Sequence, residues 1–285
     1  MVVGTAQWGI DYGITNDHGR LSEPELEALI TLVTGCEIRH LDTAPAYGDA
    51  ESRIGQHASG FLVQSKISVR GRGPEDLLGS VRSTTSALRD NQLHGLLVHD
   101  WSELTPSEQA MGVGVLEDLR AEGIVDRVGV SAYSAADVES GLMRFERMDL
   151  VQVPASVLDQ RLAGHPAIDE LRERGGVVQA RSAYLQGLLV DASFDGLFGS
   201  HPDLVRWRAL VESLAIDPVV LALAFIREQA WIDELVVGSA SARELAETMA
   251  AWGKPVPRVE WVQLASEDPM LIDPRQWPAT RIAAG

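Results

Sequence analysis

The chain has 285 residues, of which 45% are apolar and 23% charged, and its formal net charge is −17. That length is ample for one large hydrophobic core, and the acidic surface disfavours nucleic acid and anionic lipid as partners. The sequence has no uninterrupted run of about 18 apolar residues, so a membrane span is not expected. Cys36 is the only cysteine, which excludes an internal disulfide and a cysteine-based metal cluster and favours a reducing, cytoplasmic location.

Apolar runs typical of strands alternate with helical patterns along the whole chain. The first run, at the N-terminus, lacks the basic segment and cleavage site of a signal peptide. Strands are predicted over 2–9, 39–44, 61–67, 93–100, 126–133, 149–156, 177–183 and 234–240. At least one helical pattern follows each strand, and the first helix begins at a capping box formed by Ser22 and Glu25. The strands show little polar alternation, as expected where helices cover a parallel sheet.

Eight strand–helix units without a break in composition predict a single domain over residues 1–285. That number of units favours a closed (β/α)8 TIM barrel over an open, doubly wound sheet. The absence of a glycine-rich dinucleotide fingerprint after the first strand supports the same choice. Residues 254–285 are rich in proline and tryptophan, and they predict a C-terminal extended tail that lies over the barrel.

Four polar residues stand at or just after the ends of three neighbouring strands. Asp42 ends the second strand, and Tyr47 lies in the turn beyond it. Lys66 ends the third strand, and His99 ends the fourth. Because the C-terminal strand ends of a barrel meet at one mouth, these side chains should converge there. Each alone could be an ordinary turn residue, packing aromatic, ion-paired lysine or core histidine, but their conjunction favours an active site.

The chemistry of such a group is specific. A tyrosine hydroxyl has an unperturbed pKa of about 10, and a lysine ammonium beside it would lower that pKa toward a useful range. Asp42, if paired with Lys66, would hold the ammonium in place and keep it charged. His99 could bind the substrate oxygen and orient a carbonyl group toward Tyr47. The four residues would then supply a general acid for carbonyl reduction, or a general base for alcohol oxidation.

Three segments carry a resemblance to a known family. They are LDTAPAYGDAE, QSKIS and LLVHD, and they resemble the Asp, Tyr, Lys and His segments of the aldo-keto reductases. The likeness extends through GTAQWGIDYGITN, similar to the first-strand region of one bacterial branch, and through VGVSAY, VQVPASVLDQR, ARSAYLQGLL and VVGSASARELAE. The resemblance implies a catalytic tetrad of Asp42, Tyr47, Lys66 and His99, with Tyr47 as proton donor. It also implies an NAD(P)H-dependent oxidoreductase that reduces an aldehyde or ketone, or oxidises the alcohol, by hydride transfer.

The same resemblance implies where a nicotinamide cofactor would bind. Ser131 and Gln152 match positions that hydrogen-bond the carboxamide, although Ala132 replaces the asparagine that usually follows the serine. Arg181, with Ser182 after it, stands where many members carry an aromatic residue that stacks on the nicotinamide ring. A planar guanidinium can also stack on a ring. The alternative for Arg181 is an ion-paired surface arginine.

The turn between the last strand and the last helix matches the family's phosphate-binding turn. Its implied cofactor contacts are Gly238, Ser239, Ser241, Arg243 and Glu247. Small residues at a helix N-terminus offer backbone N–H groups to a phosphate, whereas the alternative is a simple serine cap. Arg243 would bind a 2′-phosphate and Glu247 the adenine, so NADP(H) is expected rather than NAD(H). Three positions depart from the family, since Gly238 replaces a lysine, Glu244 a basic residue and Thr248 an asparagine.

Aromatic residues near the predicted mouth are candidates for a substrate pocket. They are Trp8, Tyr12 and Trp101, and the tail could add Trp261 or Trp277. Such residues suit a small-molecule carbonyl substrate such as a sugar, an aldehyde or a cyclic ketone. Each of them could equally pack beneath the tail. No metal site is expected.

Three hypotheses for function remain open on the sequence. A carbonyl reductase accounts for all four strand-end residues. A slow-turnover, NADP(H)-binding, redox-responsive subunit is kept open by Ala132 and by the unusual phosphate turn. A lyase that forms a Schiff base on Lys66 is the third, but Asp42 beside that lysine would keep it charged and unable to attack. The expected partner is a small-molecule substrate, with no nucleic acid or membrane.

Overall fold

Eight parallel strands close into a barrel in the computed structural model of this protein, which describes residues 1–191, 196 and 198–277. The strands are β1 (Val2–Gly4), β2 (His40–Asp42), β3 (Leu62–Ile67), β4 (Gln92–Val98), β5 (Arg127–Ser131), β6 (Leu150–Pro154), β7 (Val177–Arg181) and β8 (Glu234–Gly238). Each strand pairs with the next in the chain, and β8 closes the ring by pairing with β1. The (β/α)8 barrel predicted from the alternation of strands and helices is therefore confirmed.

Helices connect the strands. The described residues contain eleven of them: α1 (Ala6–Gly9), α2 (Glu23–Gly35), α3 (Ala50–His57), α4 (Pro74–Leu88), α5 (Pro106–Ala121), α6 (Ala135–Arg144), α7 (Pro166–Glu173), α8 (Pro202–Leu214), α9 (Pro218–Glu228), α10 (Ala242–Trp252) and α11 (Pro269–Ile272). The predicted capping box of α2 is present, since the Ser22 N–H donates to the Glu25 carboxylate at 3.0 Å. None of the described helices is by itself long and apolar enough to cross a membrane, and the one pair that together passes, α8 and α9, is bent by 105°.

The first strand is shorter than the one predicted over 2–9. It ends at Gly4, and residues 6–9 form the helical turn α1, in which the Ile10 N–H donates to the Ala6 carbonyl at 3.0 Å. This turn brings the backbone against the loop after β2, where a Cβ on Gly9 would lie 1.8 Å from the Tyr47 carbonyl oxygen. Because only glycine permits this approach, the loop that carries Tyr47 is tied closely to the first strand.

Alternate side chains along β3 point into two different layers. Val63 and Ile67 are buried among the apolar side chains of the core, and the Ser65 hydroxyl donates to Glu51 of α3 at 2.6 Å. The intervening residues, Gln64 and Lys66, are also buried but bond to side chains of other strands. The interior of the barrel is therefore polar near the strand ends, and this polar layer supports the candidate site.

The C-terminal tail packs across loops that follow the strands. The Ser266 N–H donates to the Leu158 carbonyl at 2.8 Å, and the Arg275 guanidinium donates to the Ser102 hydroxyl at 2.8 Å. Within the described part of the predicted tail, residues 254–277 pack against these loops, and α11 and two 3₁₀ turns interrupt the extended backbone. The part of that prediction beyond residue 277 lies outside the described residues.

Candidate active site

The ammonium group of Lys66 lies at the centre of the candidate active site. It donates to Asp42 Oδ2 at 2.6 Å, to the Thr43 carbonyl at 3.1 Å and to the Tyr47 hydroxyl at 3.3 Å. These acceptors use all three N–H groups of the ammonium. The His99 ring lies beside Tyr47, with ring centroids 6.2 Å apart and planes at 90°. The structure thus brings together all four residues that the sequence places near the ends of β2, β3 and β4.

Strand register and one tight turn explain this convergence. Asp42 in β2 pairs with Gln64 in β3, and Lys66, two residues further on, points to the same face. Tyr47 comes from the following turn, in which Gly48 takes a positive φ of 61°. A Cβ on Gly48 would lie 2.6 Å from a backbone carbonyl oxygen of α1. Backbone packing that requires glycine therefore holds the turn that presents the Tyr47 hydroxyl to Lys66.

Amide side chains hold the other oxygen of the Asp42 carboxylate. Oδ1 accepts from Gln64 Nε2 at 2.7 Å and from Gln152 Nε2 at 2.8 Å. Both amides also donate to Gln179 Oε1, at 2.9 and 3.3 Å, and Gln179 donates in turn to Glu234 at 2.6 Å. This network crosses the barrel interior and fixes the orientation of Asp42 toward the ammonium.

Gln64 and Gln179 are site residues that the sequence analysis does not predict. Each stands two positions before a candidate residue on the same strand, Gln64 before Lys66 and Gln179 before Arg181. The side chain two positions earlier points to the same face, here into the barrel. A polar residue at that spacing in an otherwise apolar strand is the signal that would have identified both.

Burial dominates the protonation of the tyrosine. It raises the pKa of the Tyr47 hydroxyl above its ordinary value, and the negative charge of Asp42 raises that pKa further, while the positive charge of Arg181 lowers it. The lowering that the sequence analysis expects from Lys66 is not found, because Asp42 pairs with the ammonium at 2.6 Å and offsets its charge. Tyr47 therefore keeps its proton at neutral pH.

The same burial acts on the two basic residues of the group. Burial lowers the pKa of Lys66, and Asp42 opposes that change through its charge and its hydrogen bond. For His99, burial first, and then the positive charges of Lys66 and Arg181, lower the pKa to about 3. His99 is therefore neutral at pH 7, with one ring N–H available to donate a hydrogen bond.

A cleft of about 540 Å³ opens beside Tyr47 and Asp42. The candidate cofactor residues on its wall are Gln152, Arg181, Ser182, Gly238, Ser239 and Glu247. Ser131, Ser241 and Arg243 are not on that wall. Ser131 is buried at the end of β5, Ser241 is the N-cap of α10, and the Arg243 side chain is 81% exposed.

Arg181 is held against a neighbouring aromatic ring. Its guanidinium donates to the Ala132 carbonyl at 3.2 Å and lies 4.2 Å from the centre of the Tyr133 ring. Arg275 of the tail lies 3.5 Å from the same ring centre. Ala132, where the family usually has an asparagine, thus contributes its backbone carbonyl to the position of Arg181. Arg181 and Gln152 both lie on the cleft wall.

The turn that enters α10 bonds three N–H groups within the protein. The Ala240 N–H donates to a Glu244 carboxylate oxygen at 2.9 Å, and the Ser241 N–H donates to the Ser239 hydroxyl at 3.3 Å. The Glu244 N–H donates to the Ser241 hydroxyl at 3.1 Å. Three backbone groups at the turn that the sequence analysis assigns to a phosphate are therefore bonded within the protein.

The candidate substrate residues separate into two kinds. Tyr12 faces the cleft, and burial raises the pKa of its hydroxyl. Trp8 and Trp101 are 1% and 0% exposed and belong to the hydrophobic core. The indole N–H of Trp101 bonds to Asp137 and Ser140 of α6. We therefore do not assign these two tryptophans to the substrate pocket, because a buried indole presents no surface to a substrate.

The tail tryptophans also pack within the protein. Trp261 donates to the Glu228 carboxylate at 2.6 Å, and the Trp277 ring lies 5.2 Å from that of Phe198. A second cavity, of about 220 Å³, lies next to His99. Among the described residues, no three His, Cys, Asp or Glu side chains are grouped as metal ligands would be.

Comparison with known proteins places the chain in a family. The model of the aldo/keto reductase family matches residues 1–267, while no curated protein matches the chain significantly. The holo form of aldo-keto reductase AKR11C1 from Bacillus halodurans shares 16% identity and a TM-score of 0.72, over 97% of this chain and 95% of that one. The thermostable aldo-keto reductase Tm1743, in complex with the inhibitor epalrestat, shares 19% identity and a TM-score of 0.70, over 92% and 93%. These two structures show a common fold, and the family model, which covers most of the sequence, shows that the chain belongs to the aldo/keto reductase family.

Proposed function

We propose that this protein is an NAD(P)H-dependent reductase of an aldehyde or ketone in which Tyr47 donates the proton. Membership of the family implies NAD(P)H-dependent oxidoreduction of small carbonyl compounds, and the proposal assigns the steps to residues. The observation that carries it is the pair of contacts made by Lys66 Nζ, to Asp42 Oδ2 at 2.6 Å and to the Tyr47 hydroxyl at 3.3 Å, beside a large cleft.

The cleft fits a nicotinamide dinucleotide in size and in polar groups. Its volume of about 540 Å³ lies within the range of about 300–1,000 Å³ typical of small-molecule sites. Gln7 Oε1, on its wall, is buried without a hydrogen-bond partner in the described part of the chain, so it can accept a hydrogen bond from a ligand. Gln152 and Arg181 would hold the nicotinamide end, and Ser239 would lie at the phosphate end. The cofactor, when bound, supplies or accepts the hydride.

The protonation states favour the direction of reduction. Because Tyr47 keeps its proton, its hydroxyl can donate to a carbonyl oxygen as negative charge develops there. Lys66 fixes the position of that hydroxyl through a hydrogen bond, and the same N–H group can donate to the phenolate oxygen that remains after the transfer. The neutral ring of His99, next to Tyr47, can donate a hydrogen bond to the same substrate oxygen.

A slow-turnover, NADP(H)-binding subunit, the alternative left open by the sequence, is not favoured by the turn before α10, because the Glu244 carboxylate already accepts an N–H group assigned to phosphate. This candidate predicts cofactor binding without carbonyl-dependent oxidation of NADPH. A Schiff-base lyase is not favoured, because the attacking lysine must be neutral and all three N–H groups of the Lys66 ammonium are bonded.

The substitution Tyr47→Phe tests the proposal. It removes only the hydroxyl, so kcat should fall by about 10²–10⁴-fold, the contribution of general acid catalysis, while cofactor affinity stays unchanged. Steady-state rates with a panel of aldehydes and ketones, using both NADPH and NADH, measure the effect. Tyr133→Phe is the matched control, because it removes a tyrosine hydroxyl but keeps the ring against Arg181. A Tyr47→Phe protein that reduces carbonyl compounds as fast as the wild type would refute the assigned role.

A further inference from the structure

We propose that Glu244 sets the cofactor preference of this protein and selects NAD(H) over NADP(H). The inference rests on the proposed function, because it assumes that a nicotinamide dinucleotide binds in the cleft. It reverses the preference expected from the sequence, in which Arg243 binds a 2′-phosphate. The reversal comes from contacts that only the folded chain reveals.

The Glu244 carboxylate lies where α10 begins and forms part of the cleft wall. It accepts a hydrogen bond from the Ala240 N–H at 2.9 Å. A helix N-terminus of this kind favours a bound anion through its N–H groups and its positive dipole end. Here the protein supplies that anion itself, and the neighbouring N–H groups of Ser241 and Glu244 are bonded to serine hydroxyls. A phosphate that used the N–H groups of Ala240, Ser241 or Glu244 would have to displace these contacts.

The two cofactors differ only at the ribose 2′ position. A phosphate there carries about −1.5 to −2 charges at pH 7, and it would share one cleft wall with the carboxylates of Glu244 and Glu247. Like charges repel more strongly beside a protein than in bulk water. A ribose hydroxyl, in contrast, can donate a hydrogen bond to a carboxylate oxygen. The same wall therefore disfavours NADP(H) and can bind NAD(H).

The described cleft wall offers little positive charge against these carboxylates. Among the described residues, Arg181 is the one lysine or arginine on the cleft wall. The charge of Arg181 lowers the pKa values of Tyr47 and His99 at the catalytic end. Arg243 is off the wall, and its side chain is 81% exposed with Nε 3.9 Å from Glu247. In that position, the positive charge of the guanidinium is screened by water and by a carboxylate of its own helix, so it offsets little of the negative charge on the cleft wall.

Two uncharged residues, Gly238 and Gln7, occupy the place of the lysine that the family carries at this turn. Gly238 has no side chain, and the amide of Gln7 fills the space above it. A Cβ on Gly238 would lie 2.7 Å from Gln7 Oε1 and 3.2 Å from Gln7 Nε2. A longer side chain at residue 238 would therefore have to move Gln7. Gln7 of α1 and Gly238 of β8 therefore leave no basic side chain at this position.

The test is the affinity of the purified full-length protein for the two reduced cofactors. Quenching of the fluorescence of its seven tryptophans reports binding without any carbonyl substrate. We expect NADH to bind at least about tenfold more tightly than NADPH. Adenosine 5′-monophosphate and adenosine 2′-monophosphate, used as competitors, probe the adenosine end alone and should follow the same order.

The variant E244Q removes the charge but keeps an oxygen that can accept from the Ala240 N–H. It should tighten NADPH by about tenfold and change NADH by less than about threefold. The matched control is E108Q, because Glu108 holds the same third position of α5 and accepts the Thr105 N–H at 2.9 Å. Glu108 is not on the cleft wall, so this control should leave the ratio of the two affinities unchanged.

Two results would overturn the proposal. One is a wild-type protein that binds NADPH as tightly as NADH or more tightly, and the other is an unchanged ratio in a folded E244Q protein. If E244Q does not fold, the proposal is still tested by the ratio of the wild-type affinities for NADH and NADPH and by the competition with the two adenosine monophosphates. Selective NADH binding without reduction of any carbonyl compound would support the preference and contradict the proposed function, whereas binding of neither cofactor would contradict both.

Discussion

The proposed catalytic end of the cleft and its proposed adenosine end differ in the burial of the charges at or near them. The side chains of Lys66 and Asp42 are 1% and 4% exposed, whereas those of Arg243 and Glu247 are 81% and 62% exposed. A buried charge is costly unless a partner lies at hydrogen-bond distance, and breaking such a pair is strongly destabilising. An exposed pair contributes little, because water can replace either partner.

This difference explains why the two ends relate differently to the family pattern. At the buried end, Asp42 and Lys66 determine each other's positions, so the contact expected from the sequence is the one that the structure shows. At the exposed end, a match such as Arg243 does not fix where the side chain lies, and a single departure such as Glu244 can invert the local charge. Burial is what makes a sequence motif a reliable guide to position.

The largest effect should come from breaking the buried pair. Lys66→Met removes the ammonium and leaves the Asp42 carboxylate without a cation, so the free energy of unfolding should fall by about 3–5 kcal/mol. The same change should lower kcat by about 10²–10⁴-fold. Urea unfolding and steady-state kinetics measure the two effects. Lys254→Met is the matched control, since Lys254 is the only other lysine and is exposed. If Lys66→Met were as stable as the wild type, the buried pair would matter no more to stability than the exposed pair does.

The amide network beneath the pair should give the next largest effect. Gln179→Leu removes the shared acceptor of Gln64 and Gln152 and the donor to Glu234. Leaving buried polar groups unsatisfied costs about 1–3 kcal/mol, and urea unfolding would detect that loss. Gln263→Leu, at an exposed position of the tail, should change the stability little. Equal stabilities of the two variants would mean that the network does not support the site.

A pH dependence of stability follows from His99. Burial lowers its pKa from 6.5 to about 3 in the folded protein. Between these values the unfolded chain binds a proton that the folded chain does not, so the stability contributed by the neutral ring is present above pH 6.5 and is lost as pH falls toward 3. From pH 6.5 to about pH 5 the loss should be at most about 2 kcal/mol, since one pKa unit corresponds to about 1.4 kcal/mol.

Urea unfolding at about pH 7.5 and about pH 5 tests this linkage. A His99→Gln protein should lose less stability between the two conditions than the wild type does. His18→Gln, at an exposed position, should behave like the wild type. An identical pH dependence in all three proteins would show that His99 is not held neutral by burial.

Most of the fold could be predicted because it depends on periodicity alone. Eight apolar strands that alternate with helices specify a closed barrel, and each strand lies within one residue of its predicted start. The prediction failed over residues 5–9, where TAQWG suits a strand as well as a helical turn. The close approach of Gly9 to the Tyr47 carbonyl accompanies the helical turn, and that contact joins segments that are distant in sequence.

The candidate site could be predicted best where a polar residue lies at or just beyond the end of a strand. Asp42 and Lys66 interrupt apolar runs at positions where a barrel presents its active site. Gln64 and Gln179 lie inside strands, and their role depends on contacts across the barrel. Trp101 is near the mouth in sequence, yet its indole is buried against α6. Such tertiary contacts are not encoded in any local pattern.

The smallest expected effect, that of Arg243→Ala, bears most directly on the exposed end. If Arg243 bound a 2′-phosphate, its loss would remove a hydrogen bond to a charged group, worth about 1.5–3 kcal/mol, and would weaken NADPH binding by at least about tenfold. The structure predicts a change of less than about threefold, because the side chain is 81% exposed and its nearest carboxylate is 3.9 Å away. Fluorescence titration with NADPH measures the change, with Arg206→Ala as a control for loss of another exposed helical ion pair. A tenfold loss of NADPH affinity would mean that Arg243 turns toward the cleft when the cofactor binds. An exposed side chain would then have a position in the bound state as well defined as that of the buried pair.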